Sequence, residues 1–185
     1  MKFSRSEITD IIIIEPNVFK DERGYFFESF KQNELNEFLG YDVNFCQDNV
    51  SKSNYGVLRG LHYQEPPFAQ AKLVRVIQGS VLDVVVDIRK GSPNYGKYVT
   101  AIISAENWNM IWVPKGFAHG FLTLETNTVV FYKVSQFYSK DDDRGFIWDD
   151  PQVNIDWPAD PQNIILSEKD SNLPRLKDLP DYFSY

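Results

Sequence analysis

The sequence predicts a mainly β protein, an antiparallel sandwich or barrel of short strands. Turn signals recur near Gly56, Gly79, Gly91, Gly96 and Gly116, about a strand length apart. The stretches between them read as short strands punctuated by Gly, Pro, Asn and Asp. No regular strand–helix alternation is present, which argues against a parallel α/β sheet.

Taken in order, the chain begins MKFSRSEITDIIIIEPN, whose isoleucine run (11–14) is too short for a signal h-region or a membrane span. One helix is expected in SFKQNELNEFLG. Ser29 and Gln32 have capping-box spacing, Leu35, Phe38 and Leu39 form a one-sided stripe, and Gly40 suits the C-terminal stop. Strands are expected in KLVRVIQGSVLDVVVDI (72–88), broken into a hairpin at Gln78–Gly79–Ser80. Further strands are expected in YVTAII (98–103), MIWV (110–113) and TVVFYKV (128–134). The tail carries Pro158, Pro161, Pro174 and Pro180, and reads as loops with one or two short helical turns packed over the sandwich. Within it, Ser167 stands three residues before Asp170, the form of a helix start.

At 185 residues the chain suits one domain, 1–185, which buries about 70% of its unfolded surface and needs no disulfide or metal to hold together. A hydrophobic content of 43% with 24% charged residues is globular, and 15% aromatic hints at a site lined with rings. The net charge of −7 argues against nucleic acid or an anionic membrane as partner. An anionic small molecule stays open, because clustered Arg and Lys reverse the sign locally. Cys46 is the single cysteine, so no disulfide forms within the chain. A cytoplasmic protein is expected.

No GxGxxG, P-loop or GxSxG motif is present. His62 and His119, the two histidines, lie far apart with no HxH or HExxH, so no metal is expected. A two-histidine site completed by carboxylates is the alternative, as in a metal-dependent cupin. The chemistry then falls to protons and side chains.

Four segments carry the candidate residues: FKDERGYFFESF (19–30), the long run from QDNV (47) to KGSP (93), WVPKGFAHGFLTLE (112–125) and YKVSQFYSKDDDRGFIWDDP (132–151). Singly, each has a plain reading. Arg23 fits a solvated turn, His62 a satisfied core histidine, His119 a ring hydrogen-bonded beneath a Gly-rich turn, and Lys72 a strand edge. Together, through RGYFFESF, QDN, GVLRGLHYQ, AQAK, LVRV, DVVVDIRKGSP, VPKGFAHGF, YKV, FYS, RGFIWDDP, IDWP and LSEKD, the chain resembles the dTDP-4-dehydrorhamnose 3,5-epimerase family nearly end to end.

That resemblance implies a cupin-like jelly roll with a few short helices, in a homodimer where an N-terminal strand crosses to the partner. It implies a dTDP-sugar substrate, dTDP-4-dehydro-6-deoxy-D-glucose, inverted at the two carbons flanking the keto group, with no cofactor or metal. His62 matches the family's base, Asp170 its partner carboxylate, Lys72 the lysine facing the keto oxygen, and Tyr132 the acid on the opposite face. Arg23 and Arg59 match the diphosphate clamp. Phe19, Glu28, Gln47, Asn49 and Tyr138 match positions around the thymidine or sugar. His119 and Asp83 match supporting polar positions, and Lys72 is the candidate partner for Asp83 if it is buried.

These residue types suit the reaction. A histidine base faces a carbon acid some ten pKa units weaker, a gap of roughly 14 kcal/mol at about 1.4 per unit. A positioned cation or donor at the developing oxyanion recovers roughly 3–4 kcal/mol. A phenol is a reasonable donor to the enolate from the other face. Guanidinium forks suit phosphate oxygens.

One spacing conflicts with this set. On a regular strand Arg59 and His62 point to opposite faces. If both line one pocket the strand is irregular, and Gly60–Leu61 is the expected place. Rival readings are a non-catalytic sugar or nucleotide binder, and, within the family, a mono-epimerase or an epimerase of another 4-keto sugar nucleotide. The chain keeps base, acid, lysine and both arginines, which favours the double epimerase.

Overall fold

A computed structural model describes residues 1–185. In chain order it contains β1 (Lys2–Arg5), β2 (Ile12–Glu15), β3 (Val18–Asp21), β4 (Gly24–Phe27), α1 (Gln32–Leu39), β5 (Gln47–Ser53) and β6 (Leu58–Gln64). There follow β7 (Lys72–Gln78), β8 (Ser80–Asp87), β9 (Tyr98–Ser104), β10 (Met110–Val113), β11 (Phe117–Thr123), β12 (Thr128–Val134), β13 (Asp143–Gly145) and α2 (Glu168–Ser171).

Two antiparallel sheets face each other. One has the order β1-β2-β10-β7-β12-β5 and the other β13-β6-β11-β8-β9. Neighbours in the sheets are mostly distant in sequence, the crossing connectivity of a cupin-like jelly roll. The hairpin β3–β4 pairs only with itself, Val18 opposite Phe27.

Side-chain alternation sorts the apolar residues into layers. Val74 and Val76 of β7, Val81 and Val85 of β8, and Phe117 and Phe121 of β11 meet between the sheets, with Ile111 and Val130. The alternate residues of the first sheet, among them Leu73, Met110 and Trp112, pack outward against Leu35 of α1. Those of the second, including Leu82, Val84 and Val86, are covered by Phe146, Val153 and Leu176 of the C-terminal region. The tail therefore completes the core on the outer face of the second sheet.

Strand expectations agree closely with the structure, and Gly79 makes the tight β7–β8 turn with a φ of 77°. The helix ends at Gly40 in the left-handed region, as expected. Its start differs. Lys31, extended at φ −138°, precedes the first turn with no side-chain cap, so Ser29 and Gln32 do not form a capping box. The Gln32 amide donates instead to the Val43 carbonyl and to Asn36 Oδ1, fastening the helix to the following loop. Short helical turns in the tail number three rather than one or two: α2 and the 3-10 turns Pro161–Asn163 and Leu176–Asp178. No helix is long and apolar enough to cross a membrane.

Candidate active site

Polar residues that interrupt inward-facing apolar rows build the site. Lys72 precedes Val74 and Val76 on the inward row of β7, and Tyr132 follows Val130 on that of β12. Asp83 lies between Val81 and Val85, and His119 between Phe117 and Phe121. Each is therefore turned into the sandwich by the alternation that builds the core.

Strand β6 needs a further device. Leu58, Leu61 and Tyr63 all face the outer cluster, while Arg59 and His62 both line the cavity between the sheets. His62 pairs with His119, and Arg59 with Phe121, so β6 carries one residue more than β11 between the two pairings. The extra residue is Gly60, at φ +132° and joined to Leu61 by a cis peptide. A Cβ there would stand 2.6 Å from Gly120 Cα, so only glycine fits. The expected irregularity at Gly60–Leu61 is present, and it turns both side chains the same way.

The resulting cavity, of about 400 Å³, is lined by Arg59, His62, Lys72, His119, Tyr132 and Asp170 among others. An adjoining lobe of about 310 Å³ adds Gln47, Asn49, Tyr138 and Asp143. His62, Lys72, Tyr132 and Lys169 line both, making one cleft. His62 comes from one sheet, Tyr132 and Lys72 from the other.

His62 Nε2 lies 2.6 Å from Asp170 Oδ1. The Ser167 hydroxyl accepts from the Asp170 N–H at 3.1 Å, starting α2 and holding the carboxylate in place. The expected helix start and the dyad contact thus coexist. Burial works to raise the Asp170 carboxyl, yet the hydrogen bond and charge of His62 outweigh it and hold the group below its ordinary range.

Lys72 donates a long hydrogen bond, 3.4 Å, to the His62 carbonyl. Burial pushes its pKa down to about 8, against the opposing charges of Asp143 and Asp83. Burial likewise raises the Tyr132 phenol, partly offset by the Arg59 charge. Arg59 Nε donates to Ser53 Oγ at 3.1 Å. Asp83, fully buried, pairs with His119 Nε2 at 2.9 Å and not with Lys72. The register explains the correction: Asp83 is opposite Phe121, so His119 is its diagonal neighbour on the same face, whereas Lys72 belongs to the other sheet.

Gln47, Asn49 and Tyr138 reach the cleft, with Gln47 Oε1 accepting from the Tyr138 N–H at 3.1 Å. Phe19, Arg23 and Glu28 do not line it. Phe19 and Arg23 belong to the β3–β4 hairpin, with Arg23 bound to Asp21 and its side chain 90% exposed. Glu28, just beyond, pairs with Lys31 at 3.3 Å. Sequence reasoning missed Asp143 and Lys169, which line the adjoining lobe and pair directly with each other. Asp143 lies in the acidic run DDDR and Lys169 within LSEKD, but only Ser167 and Asp170 of that motif were given roles and neither of these two was. No group of three or more His, Cys, Asp or Glu is arranged to hold a metal ion.

The family model for dTDP-4-dehydrorhamnose 3,5-epimerase matches residues 5–178. A dTDP-4-dehydrorhamnose 3,5-epimerase of Shigella flexneri is 52% identical, covering 99% of both chains, and one of Escherichia coli 48% identical, covering 97% and 96%. The structure of a Legionella pneumophila dTDP-6-deoxy-D-glucose-3,5-epimerase in complex with dTDP-4-keto-L-rhamnose matches with a TM-score of 0.95 at 43% identity, covering 100% and 98%. A 3′-monoepimerase from Streptomyces bikiniensis, with dTDP-quinovose, matches at 0.88 and 34%, covering 94% and 87%.

Proposed function

This chain belongs to the dTDP-4-dehydrorhamnose 3,5-epimerase family, and from that premise we propose how its cleft does the work. It is an isomerase that inverts C3 and C5 of dTDP-4-dehydro-6-deoxy-D-glucose, giving dTDP-4-dehydro-L-rhamnose for dTDP-L-rhamnose biosynthesis. One observation supports the assignment of roles: His62 and Tyr132 enter a single cleft from opposing sheets, with Lys72 beside them. A sugar ring between the sheets meets a base on one face and an acid on the other, as inversion requires.

His62 takes the proton from the carbon next to the ketone, and Asp170 steadies the imidazolium formed. The Lys72 ammonium, aimed at the keto oxygen, holds the enolate charge in a site where burial strengthens that interaction. Tyr132 returns a proton from the other face, its burial-raised phenol keeping that proton until the enolate accepts it. His119, fixed by Asp83, offers a polar contact to the sugar or phosphate. Side chains alone supply these steps, and no cofactor is needed.

Arg59 provides the clamp's cis half. We assign the other half to a second copy of the chain. The β3–β4 hairpin pairs with neither sheet, and Phe19, Tyr25 and Phe26 on it are each more than 60% exposed. One side of the hairpin leans on its own chain, Tyr25 and Phe27 packing against Trp108 and Lys20 lying over the same ring. In the homodimer the hairpin is the crossing element, bringing Phe19, Arg23 and Glu28 to the partner's cleft. The whole chain, 1–185, acts as one domain, with cytoplasm as the compartment that holds its nucleotide sugar.

Turnover in heavy water tests the chemistry. Deuterium is expected at both C3 and C5 of the sugar, abolished in His62→Ala. Tyr132→Phe is expected to retain exchange but to invert poorly. Incorporation at one carbon only would make the protein a mono-epimerase, the activity of the S. bikiniensis relative. Absence of exchange with dTDP still bound would leave a binder.

A further inference from the structure

Asp143 was assigned no role by sequence, yet three segments meet on its side chain. It opens β13, opposite Gln64 of β6. Its Oδ2 accepts from the Tyr138 hydroxyl at 3.1 Å and from Lys169 Nζ at 2.5 Å. Tyr138 sits on the loop after β12, and Lys169 on α2 beside Asp170. The carboxylate is 17% exposed and lines the lobe that also holds His62, Lys72 and Tyr132.

The charges around Lys72 come from every side of the cleft. Strand β6 supplies Arg59 and His62, β8 Asp83, β11 His119, β12 Tyr132 and α2 Asp170 and Lys169, with Tyr138 on the adjoining loop. Three carboxylates are available to balance the ammonium. Asp83 is held by His119 and Asp170 by His62. Asp143 alone is held by no histidine, and its cationic partner Lys169 is 45% exposed and so partly screened by water.

We propose that Asp143 is a positioning residue for this reaction, tying the Tyr138 loop to α2 and serving as the counter-charge of the Lys72 ammonium, with Lys169 opposing it. The proposal rests on the epimerase reading above. The balance of charges on Lys72 runs the same way, Asp143 holding its proton on and Lys169 favouring its loss. Two substitutions at one contact therefore have opposite consequences. Asp143→Asn removes the counter-charge and makes Lys72 easier to deprotonate. Lys169→Gln removes a like charge, frees Asp143 toward Lys72 and makes it harder.

The experiment follows acetic anhydride labelling of Lys72 against pH by peptide mass spectrometry, in wild type, Asp143→Asn, Asp143→Glu and Lys169→Gln, alongside the pH profile of kcat/KM. The Lys72 midpoint is expected to fall by about one pH unit in Asp143→Asn. It is expected to rise in Lys169→Gln and to return toward wild type in Asp143→Glu, with the alkaline limb of kcat/KM following each change. A merely structural Asp143 would lower the rate at every pH and leave the midpoint in place, which overturns the proposal. Movement of both variants in one direction overturns it too. Should the midpoint move while the alkaline limb stays, the positioning role fails together with the enolate role of Lys72. The epimerase reading is judged separately, by exchange at C3 and C5.

Discussion

Lys72 holds its charge where charge is unfavourable, and the consequence is measurable. In the proposed mechanism its ammonium is the form that steadies the enolate, and burial brings its pKa from 10.5 to about 8. Below that value the side chain is cationic and above it neutral, so kcat/KM is expected to fall as pH rises through about 8 rather than near 10.5. A pH–rate profile on saturated and unsaturated enzyme checks this, and Lys72→Met should remove the limb with most of the activity. Asp170→Asn keeps the shape of the dyad but removes the charge that steadies protonated His62. Its kcat is expected to drop on the order of a hundredfold with KM little changed. The inward-facing lysine and tyrosine were legible as site residues because matched motifs named them and alternation with Val74 and Val130 turns them inward. Asp143 and Lys169 were not, because a carboxylate in DDDR gains meaning only when the β13–β6 register carries it to the cleft. The partner of Asp83 was misjudged for a related reason, since pairing depends on which strands are neighbours, and that is not local information.

At the scale of elements, β6 is the piece on which the site depends. Period-two alternation alone would send Arg59 and His62 to opposite faces, and the extra residue at Gly60 reverses that. Gly60→Ala places a methyl 2.6 Å from Gly120 Cα and 3.0 Å from the His119 carbonyl oxygen, on backbone at φ +132°. The expected cost is about 3 kcal/mol or more in urea unfolding, with activity lost even in the folded fraction. Gly91→Ala is the control: at φ +83° with no atom within 4 Å, it is expected to cost about 1 kcal/mol and leave kcat unchanged. Equal losses at the two glycines would mean that backbone conformation, not the close approach of β6 and β11, dominates. This irregularity was legible because two side chains required of one pocket stood an odd number apart with a glycine between them. The start of α1 was not, because the Gln32 amide is drawn to a carbonyl eleven residues on, a contact that no local capping rule contains.

At the scale of the whole molecule, one of the two arginines proposed as the phosphate clamp stands outside the chain's own cleft. The sandwich was legible from turn spacing and runs of strand residues, whereas the destination of the hairpin lies in no single chain's pattern. Arg59 lines the cavity, while Arg23 stands on a solvent-facing hairpin, so symmetric exchange of hairpins would complete two sites at once. Arg23→Ala in a homodimer is expected to raise KM by roughly 10- to 100-fold through loss of a charged phosphate contact. Mixing decides where that arginine acts. His62→Ala and Arg23→Ala homodimers are each defective in both sites. If the hairpin crosses, a mixed dimer of the two has one cleft with both lesions and one with neither. Statistical re-pairing after mild denaturation and refolding would then restore about a quarter of wild-type activity at low substrate, since half the dimers are mixed and one cleft in each is intact. If Arg23 serves its own chain's cleft, no cleft in any dimer is free of lesions and activity stays at the level of the parents. The hairpin's exposed phenylalanines and its lack of pairing with either sheet favour recovery.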